Sequence, residues 1–294
     1  MFLKLKKVIK NNNKYLYDII RKCSINCYGH IRQWRLASFK SPIYYPFSYN
    51  GISFHILLDP VNGLIDHEIA WKGVYEEDTL DFYVTQLKEG QIYVDIGSNI
   101  GQHALFASRL VGDSGHVISF EPIRRLYAQQ TKSIIKNSIK NITTMNVACG
   151  NFTGEAIIYL RDSNAGGSSL VPFIEEGGVT ESVKVVVADS VLNDFQRIDF
   201  IKIDAEGFEY EVLQGLGDTL KRHMPRLFIE YSPEFYVNTK SGPDHNGVKL
   251  LRFLVSYGYT FINFNDNCST IADPVLWGVK CCKEQCNLLC IPQN

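Results

Sequence analysis

From residue 92 onward, short unbroken apolar runs alternate with longer amphipathic stretches. "IYVDIG" (92–97), "HVISFEP" (116–122), "ITTMNVA" (142–148), "DFIKID" (199–204) and "RLFIEYS" (226–232) read as five strands. Between them, "GQHALFASRLV", "RRLYAQQTKSIIKNSIK" and "FEYEVLQGLGDTLKRH" read as helices, the last with Phe208, Val212 and Leu216 on one stripe. Uninterrupted apolar strands alternating with helices predict an α/β fold, its mostly parallel sheet covered on both faces. Upstream, "ISFHILLD" is strand-like, and a helix runs from about Glu76 to a stop at Gly90.

Two stretches depart from that alternation. "EAIIYL" and "SVKVVVA", joined by "RDSNAGGSSLVPFIEEGGVTE", predict a β-hairpin insertion carrying a soft loop. "TFINF" and "CNLLCIP", with no full crossover helix between them, predict an antiparallel C-terminal edge. Residues 2–37 read as a helical arm, and the two prolines and glycine of "SPIYYPFSYNG" (41–51) break it. The expected division is an N-terminal helical arm over 1–50 and one domain over 51–294.

Charge adds a feature that periodicity does not carry. The formal net charge is −1, yet residues 1–40 hold ten Lys or Arg against the single acid Asp18, leaving −10 for the remainder. A basic arm on an acidic body suits contact with an anionic surface, or equally a solvated extension. No run approaches the roughly 18 apolar residues of a membrane span, and the N-terminus lacks the apolar core of a signal peptide. The default compartment is therefore the cytoplasm, with peripheral membrane contact through the arm left open. Cys281, Cys282, Cys286 and Cys290 do not form paired C-x2-C knuckles. They read as small apolar residues of a buried strand, and no metal site is assigned to them.

In an open parallel sheet, ligands sit at the carboxyl ends of the strands. Those ends carry Asp95, Glu121, Asp204 with Glu206, and Glu230. Gly97 and Gly101 open a helix whose free N–H groups suit a carboxylate or phosphate. Glu121 falls where an acid can accept from two ribose hydroxyls. A dinucleotide would want G-x-G-x-x-G, but Asn99 and Gln102 stand at two of those glycine positions, and Asp95 would repel phosphate. An acid there can hold an ammonium group instead. Ammonium, carboxylate and ribose together describe S-adenosylmethionine. Asp95, Gly97, Asn99, Gly101, His103 and Glu121 are the candidate donor-binding residues.

"VDIGSNIG", "FEP" (120–122), "KIDAEGFE" (202–209), "VLQG" (212–215) and "LFIE" (227–230) also resemble, in order and spacing, the FkbM-type methyltransferases. The resemblance covers roughly residues 75–292. It implies a class I methyltransferase (Rossmann-like) fold, S-adenosylmethionine as methyl donor, and O-methylation of a sugar, glycan or natural-product hydroxyl. It also implies that Asp204, Glu206 and Glu230 line the reaction chamber. The family's "T-L-D" triplet reads Val187-Ala188-Asp189 here, so Asp189 is expected to be structural.

Methyl transfer to a hydroxyl needs alignment and a proton acceptor, and Asp204 and Glu206 are the candidate catalytic carboxylates. A divalent cation bridging Asp204, Glu230 and the acceptor is a variant that the sequence leaves undecided. Lys202, on a central strand, must be paired, with Glu230 or Glu206 as the expected partner. Glu209 fits favourable placement at a helix start, and His245 in "SGPDHNG" reads as a solvated loop residue. Loops 161–181 and 232–248 are expected to shape the acceptor pocket. The rival readings are a nicotinamide-dependent oxidoreductase, a nucleic-acid methyltransferase and a non-catalytic binding protein. The second is disfavoured because "DAEG" stands where an N-P-P-Y-like turn would be, and its acids repel a phosphate backbone; no nucleic-acid partner is expected.

Overall fold

The computed structural model describes residues 41–59, 63–161, 167–171, 179–232, 245–280 and 285–293. The chain divides into two compact units, Met1–Ile43 and Tyr44–Asn294, of which the second is described here by itself. The expected helical arm lies outside the described residues.

A hairpin comes first, β1 (Ile43–Tyr49) and β2 (Ile52–Leu58). Helices α1 (Leu64–Lys72) and α2 (Glu77–Gln86) lead to β3 (Ile92–Ile96). Then come α3 (Gln102–Val111), β4 (His116–Phe120), α4 (Arg124–Lys136) and β5 (Ile142–Met145). The insertion follows as β6 (Ala148–Gly150), β7 (Gly154–Tyr159) and β8 (Thr180–Val187), ending in the short α5 (Asp189–Leu192). The chain resumes with β9 (Phe200–Ile203), α6 (Glu209–Gln214), α7 (Gly217–His223) and β10 (Arg226–Tyr231). It closes with α8 (Asn246–Ser256), β11 (Tyr259–Asn263), β12 (Ser269–Ile271), α9 (Pro274–Lys280) and β13 (Cys286–Pro292).

The principal sheet has the order β5-β4-β3-β9-β10-β13-β11-β12. Strands β5 to β10 in that order run parallel, and β13 runs antiparallel to both β10 and β11. The α/β class, the parallel sheet and the antiparallel C-terminal edge are as expected. The chain winds outward from β3 to β5 and returns to β9 on the other side of β3. That reversal opens a crevice at the carboxyl ends of β3 and β9. The core beneath it is dense with branched aliphatics, among them Val94, Ile118, Ile201, Ile203, Leu227 and Ile229 from the strands. Leu213, Leu216, Leu220, Leu250 and Leu254 cover them from the helices.

Several elements differ from the reading of the sequence. Residues 43–49 form a strand, because Asn50 and Gly51, with φ of 46° and 78°, make the turn that suits hairpin twist. The exposed backbone of β2 is covered by α4: Asn137 Oδ1 accepts from the N–H of His55 at 2.7 Å and Ser133 Oγ from that of Leu57 at 2.9 Å. The third predicted strand stops at Met145, and its end becomes β6, which joins β8 and β7 in a separate three-stranded sheet. The helix read over 208–223 is two helices. Gly215 lies so close to β6 that an added Cβ would stand 2.1 Å from the Gly150 carbonyl oxygen. The second helix restarts there with its N–H groups at Asp218 and Thr219 donated to Asp189, at 2.8 and 2.9 Å. Asp189 is thus the structural cap expected of it. Among the described residues no helix is long and apolar enough to cross a membrane.

Candidate active site

A cleft of about 1020 Å³, its open mouth included, lies over the β3–β9 reversal. Its floor is the turn from β3 to α3. Gly97 has φ 80°, and a Cβ there would stand 1.8 Å from the carbonyl oxygen of Asp204. On its other side this cleft-lining glycine admits the backbone at the end of β9. Asn99, with φ 52°, is left-handed too, and its Oδ1 accepts from the N–H of Ile100 at 2.8 Å. Gly101 is backed by the Gln130 side chain. Gln130 belongs to a buried network in which Ser119 Oγ accepts from Gln130 Nε2 and donates to Ser98 Oγ, at 2.6 and 2.9 Å. The loop is held from below by hydrogen bonds, so its upper surface is free to take a ligand.

Glu121 lines the cleft at the end of β4. Its two carboxyl oxygens each accept a backbone N–H, from Asn99 and from Ile123, both at 2.8 Å. Burial pushes its pKa up to about 7, against the pull of those two N–H groups. Each carboxylate oxygen has a second lone pair, so capacity remains for hydroxyl donors. His103, 7% exposed, stands in the cleft wall on the first turn of α3. Its Nε2 faces Glu76 Oε2 at 3.3 Å, and its ring meets Tyr83 edge-on at 5.6 Å.

Asp95 is not on the cleft wall. It is fully buried, opposite Lys202 in the β3–β9 register, with its Oδ1 3.9 Å from Lys202 Nζ. Burial raises its pKa, partly countered by Lys202 and His103. Lys202 pairs more closely with Asp204, at 2.9 Å. The expected pairing with Glu230 or Glu206 is therefore corrected: cross-strand register and the two-residue step along β9 put Asp95 and Asp204 beside the ammonium.

Asp204, Glu206 and Glu230 converge, with carboxylate oxygens within 4.8 Å of one another. Asp204 and Glu206 come together as expected, and Glu230 joins them from β10. Three ionised carboxylates at that spacing would repel strongly. Burial works against the charge on Asp204, but Lys202 outweighs it and holds the pKa below the usual range. Glu206 is pushed up to about 9 by burial and then by the charges of Asp204 and Glu209. Glu230 is raised well above its usual value by burial and by Asp204. The cluster thus favours the charged form on Asp204 and the neutral form on Glu206 and Glu230. Lys202 supplies one compensating positive charge, and the spacing of the three carboxylates would also let a divalent cation supply it.

The turn carrying Glu206, itself left-handed at φ 50°, is held by Glu209. Its Oε1 accepts from the N–H groups of Ala205 and Gly207, each at 3.0 Å. Glu209 is therefore an organiser of the loop rather than a simple dipole partner. Ser169 Oγ, from the insertion, donates to the Glu206 carbonyl. His245 is corrected as well. It is 5% exposed and caps α8, its Nδ1 accepting from the Gly247 N–H at 3.2 Å. Cys286 and Cys290 are buried in β13, while Cys281 and Cys282 lie outside the described residues, as do 162–166, 172–178 and 233–244 of the acceptor loops. Tyr75 and Glu76 were not foreseen as site residues. Tyr75 lines the cleft, and its backbone is clamped by Gln102, which accepts from its N–H at 2.9 Å and donates to its carbonyl at 2.8 Å.

The chain is similar in sequence to known methyltransferases. The chain is 24% identical over 148 residues to hexuronic acid methyltransferase AglP of Haloferax volcanii, across 50% of this chain and 58% of AglP. It is 23% identical over 185 residues to methyltransferase sdnD of Sordaria araneosa, across 52% of this chain and 70% of that one. The chain thus spans little more than half the length of AglP. The crystal structure of methyltransferase FkbM from Methylobacillus flagellatus superposes with a TM-score of 0.42 at 16% identity, over 71% of this chain and 50% of that one. The profile of the Methyltransferase FkbM domain matches residues 95–261, from the buried aspartate of β3 to β11. That match takes in more than half of the sequence, and the chain belongs to the FkbM methyltransferase family.

Proposed function

We propose that this methyltransferase moves a methyl group from S-adenosylmethionine to a hydroxyl of a sugar, glycan or natural product. The observation that carries the reading is a carboxylate, Asp204, paired with Lys202 at 2.9 Å at the carboxyl end of β9, directly beside the glycine turn of β3. The cleft suits the donor. Phe120, Ile123, Leu126 and Val147 offer apolar walls for a flat base, Glu121 has acceptor capacity for ribose hydroxyls, and the start of α3 attracts a carboxylate. When bound, the donor supplies an electrophilic methyl on a sulfonium.

The chain's own work is positioning and proton transfer. An acceptor hydroxyl beside Asp204 would give up its proton to that carboxylate as its oxygen took the methyl group, the S–CH3 bond breaking and S-adenosylhomocysteine leaving. Lys202 keeps Asp204 ionised until then, and Glu206, a neutral acid at pH 7, can donate a hydrogen bond to a second acceptor oxygen. The name of AglP makes hexuronic acids the first acceptors to assay, followed by neutral hexosides. A nicotinamide-dependent oxidoreductase loses its ground with the family assignment.

Calorimetry with S-adenosylmethionine, S-adenosylhomocysteine and NAD tests the donor. Binding of the first two without NAD is expected, and Glu121→Ala should weaken it by about 1.5–3 kcal/mol. A preference for NAD, or an unchanged affinity in the variant, counts against this reading.

A further inference from the structure

An amino-acid nucleoside has to leave its α-ammonium against an anion or acceptor lone pairs. Asp95, the acid that the sequence offers for this, is fully buried with the Lys202 ammonium already against it. Glu76 is a different acid, set behind the cleft-lining His103. It follows Tyr75, whose side chain lines the wall, and precedes α2, held left-handed at φ 50°. Such a backbone costs a non-glycine residue about 1–3 kcal/mol and persists only where its surroundings over-determine it. Here the clamp from Gln102 on Tyr75 supplies that constraint.

The Glu76 carboxylate is directed at His103. With Oε2 3.3 Å from Nε2, the ring turns Nε2 towards an anion and keeps Nδ1 as the other polar atom. Both ring nitrogens are buried without a hydrogen-bond partner among the described residues, in a ring that stands in the cleft wall. When Nε2 carries the proton that faces Glu76, Nδ1 presents a lone pair. A carboxylate before α2 beside an acceptor nitrogen on the first turn of α3 matches a group rich in N–H donors and positively charged. Glu76 also lies outside the matched FkbM domain.

We propose that Glu76 and His103 together hold the α-ammonium of the donor, the task that the sequence suggested for Asp95. This rests on S-adenosylmethionine being the donor. The N–H groups at the start of α3 would then hold the donor's carboxylate.

Two ligands separate this proposal from that reading: S-adenosylhomocysteine, which has the amino-acid tail, and 5′-methylthioadenosine, which lacks it. In the full chain, Glu76→Gln keeps the side-chain shape and removes the charge. Calorimetry should show S-adenosylhomocysteine binding weakened by about tenfold or more, as for loss of a charge-assisted hydrogen bond. Methylthioadenosine binding should stay within about twofold, since an adenosine site does not feel the change. Equal losses for both ligands, or no loss for either, would overturn the proposal and leave the donor reading standing. Failure of the unaltered protein to bind either ligand would overturn the donor reading itself.

Discussion

Replacing Gly97 by alanine should separate two penalties that usually arrive together. Gly97 and Gly258 have the same φ, 80°, but a Cβ at Gly258 would meet nothing within 4 Å. At Gly97 it would stand 1.8 Å from the Asp204 carbonyl oxygen and 2.9 Å from the carbonyl carbon. Alanine in the left-handed region costs about 1–2 kcal/mol, offset by about 0.4–1 kcal/mol from a less flexible unfolded chain. Both effects apply equally to Gly97→Ala and Gly258→Ala. What remains is overpacking against backbone, which cannot rotate away, at about 3 kcal/mol, the upper part of the usual range. For a folded unit of this size that is a melting temperature about 6–12 °C below Gly258→Ala. The Asp204 N–H donates to the Ile96 carbonyl at 3.0 Å, so relief by moving β9 away would break the ladder beside the candidate base. Thermal unfolding of the two variants is the assay. If they melt together, the close approach of β9 to the glycine turn is not a real constraint.

Two further outcomes follow from the charged groups. On the first hexuronic acid or hexoside that is turned over, Asp204→Asn should lower single-turnover rates by about 10²-fold or more, while Glu206→Gln should cost far less, because Glu206 already holds its proton. Comparable losses in both would move the base to Glu206. Asp66, buried on α1 where its Oδ1 accepts from the Asp59 N–H, has its pKa pushed up to about 7 by burial. The folded state therefore keeps a proton that the unfolded state releases, and stability falls as pH rises from about 4 to about 7. Asp66→Asn cannot ionise and keeps the accepting oxygen, so urea midpoints should decline less steeply across that window. Parallel declines in variant and parent would mean that Asp66 does not titrate there.

The central strands were legible because strands buried on both faces appear as unbroken apolar runs. The turn after β3 was legible because glycine and asparagine are what a left-handed turn admits. What gave them their spacing was less visible: Gly97 answers to the backbone of β9, a neighbour about a hundred residues further along the chain. The partners of Lys202 escaped for the same reason, since opposition to Asp95 depends on register between strands far apart in sequence. Strand β1 was hidden by its prolines, although the Asn50–Gly51 pair was a usable hairpin signal. Helix α8 was passed over even though Val248, Leu251 and Leu254 have helical spacing, and all three are buried. His245 as its cap could not have been foreseen from the usual capping residues. Glu76 was invisible as a site residue, because only the left-handed bend before α2 directs it at His103.

The buried Lys202 also bears on how the sheet is assembled. Parallel strands joined by long connections must find their alignment late and over large loops. A slip of one residue between β3 and β9 would send alternate side chains to the opposite face. Most positions in these two strands are apolar on either face, so hydrophobic burial alone penalises such a slip weakly. Asp95 does not forgive it: displaced by one residue, Lys202 would keep Asp204 from its own strand, but Asp95 would stay buried without the ammonium that faces it. A buried ion pair of this kind adds little net stability over an apolar core, but it makes one alignment far cheaper than its neighbours. The lysine that favours the charged form of Asp204 in the finished enzyme thereby serves, through its second contact with Asp95, as a check during folding on the pairing of the two central strands.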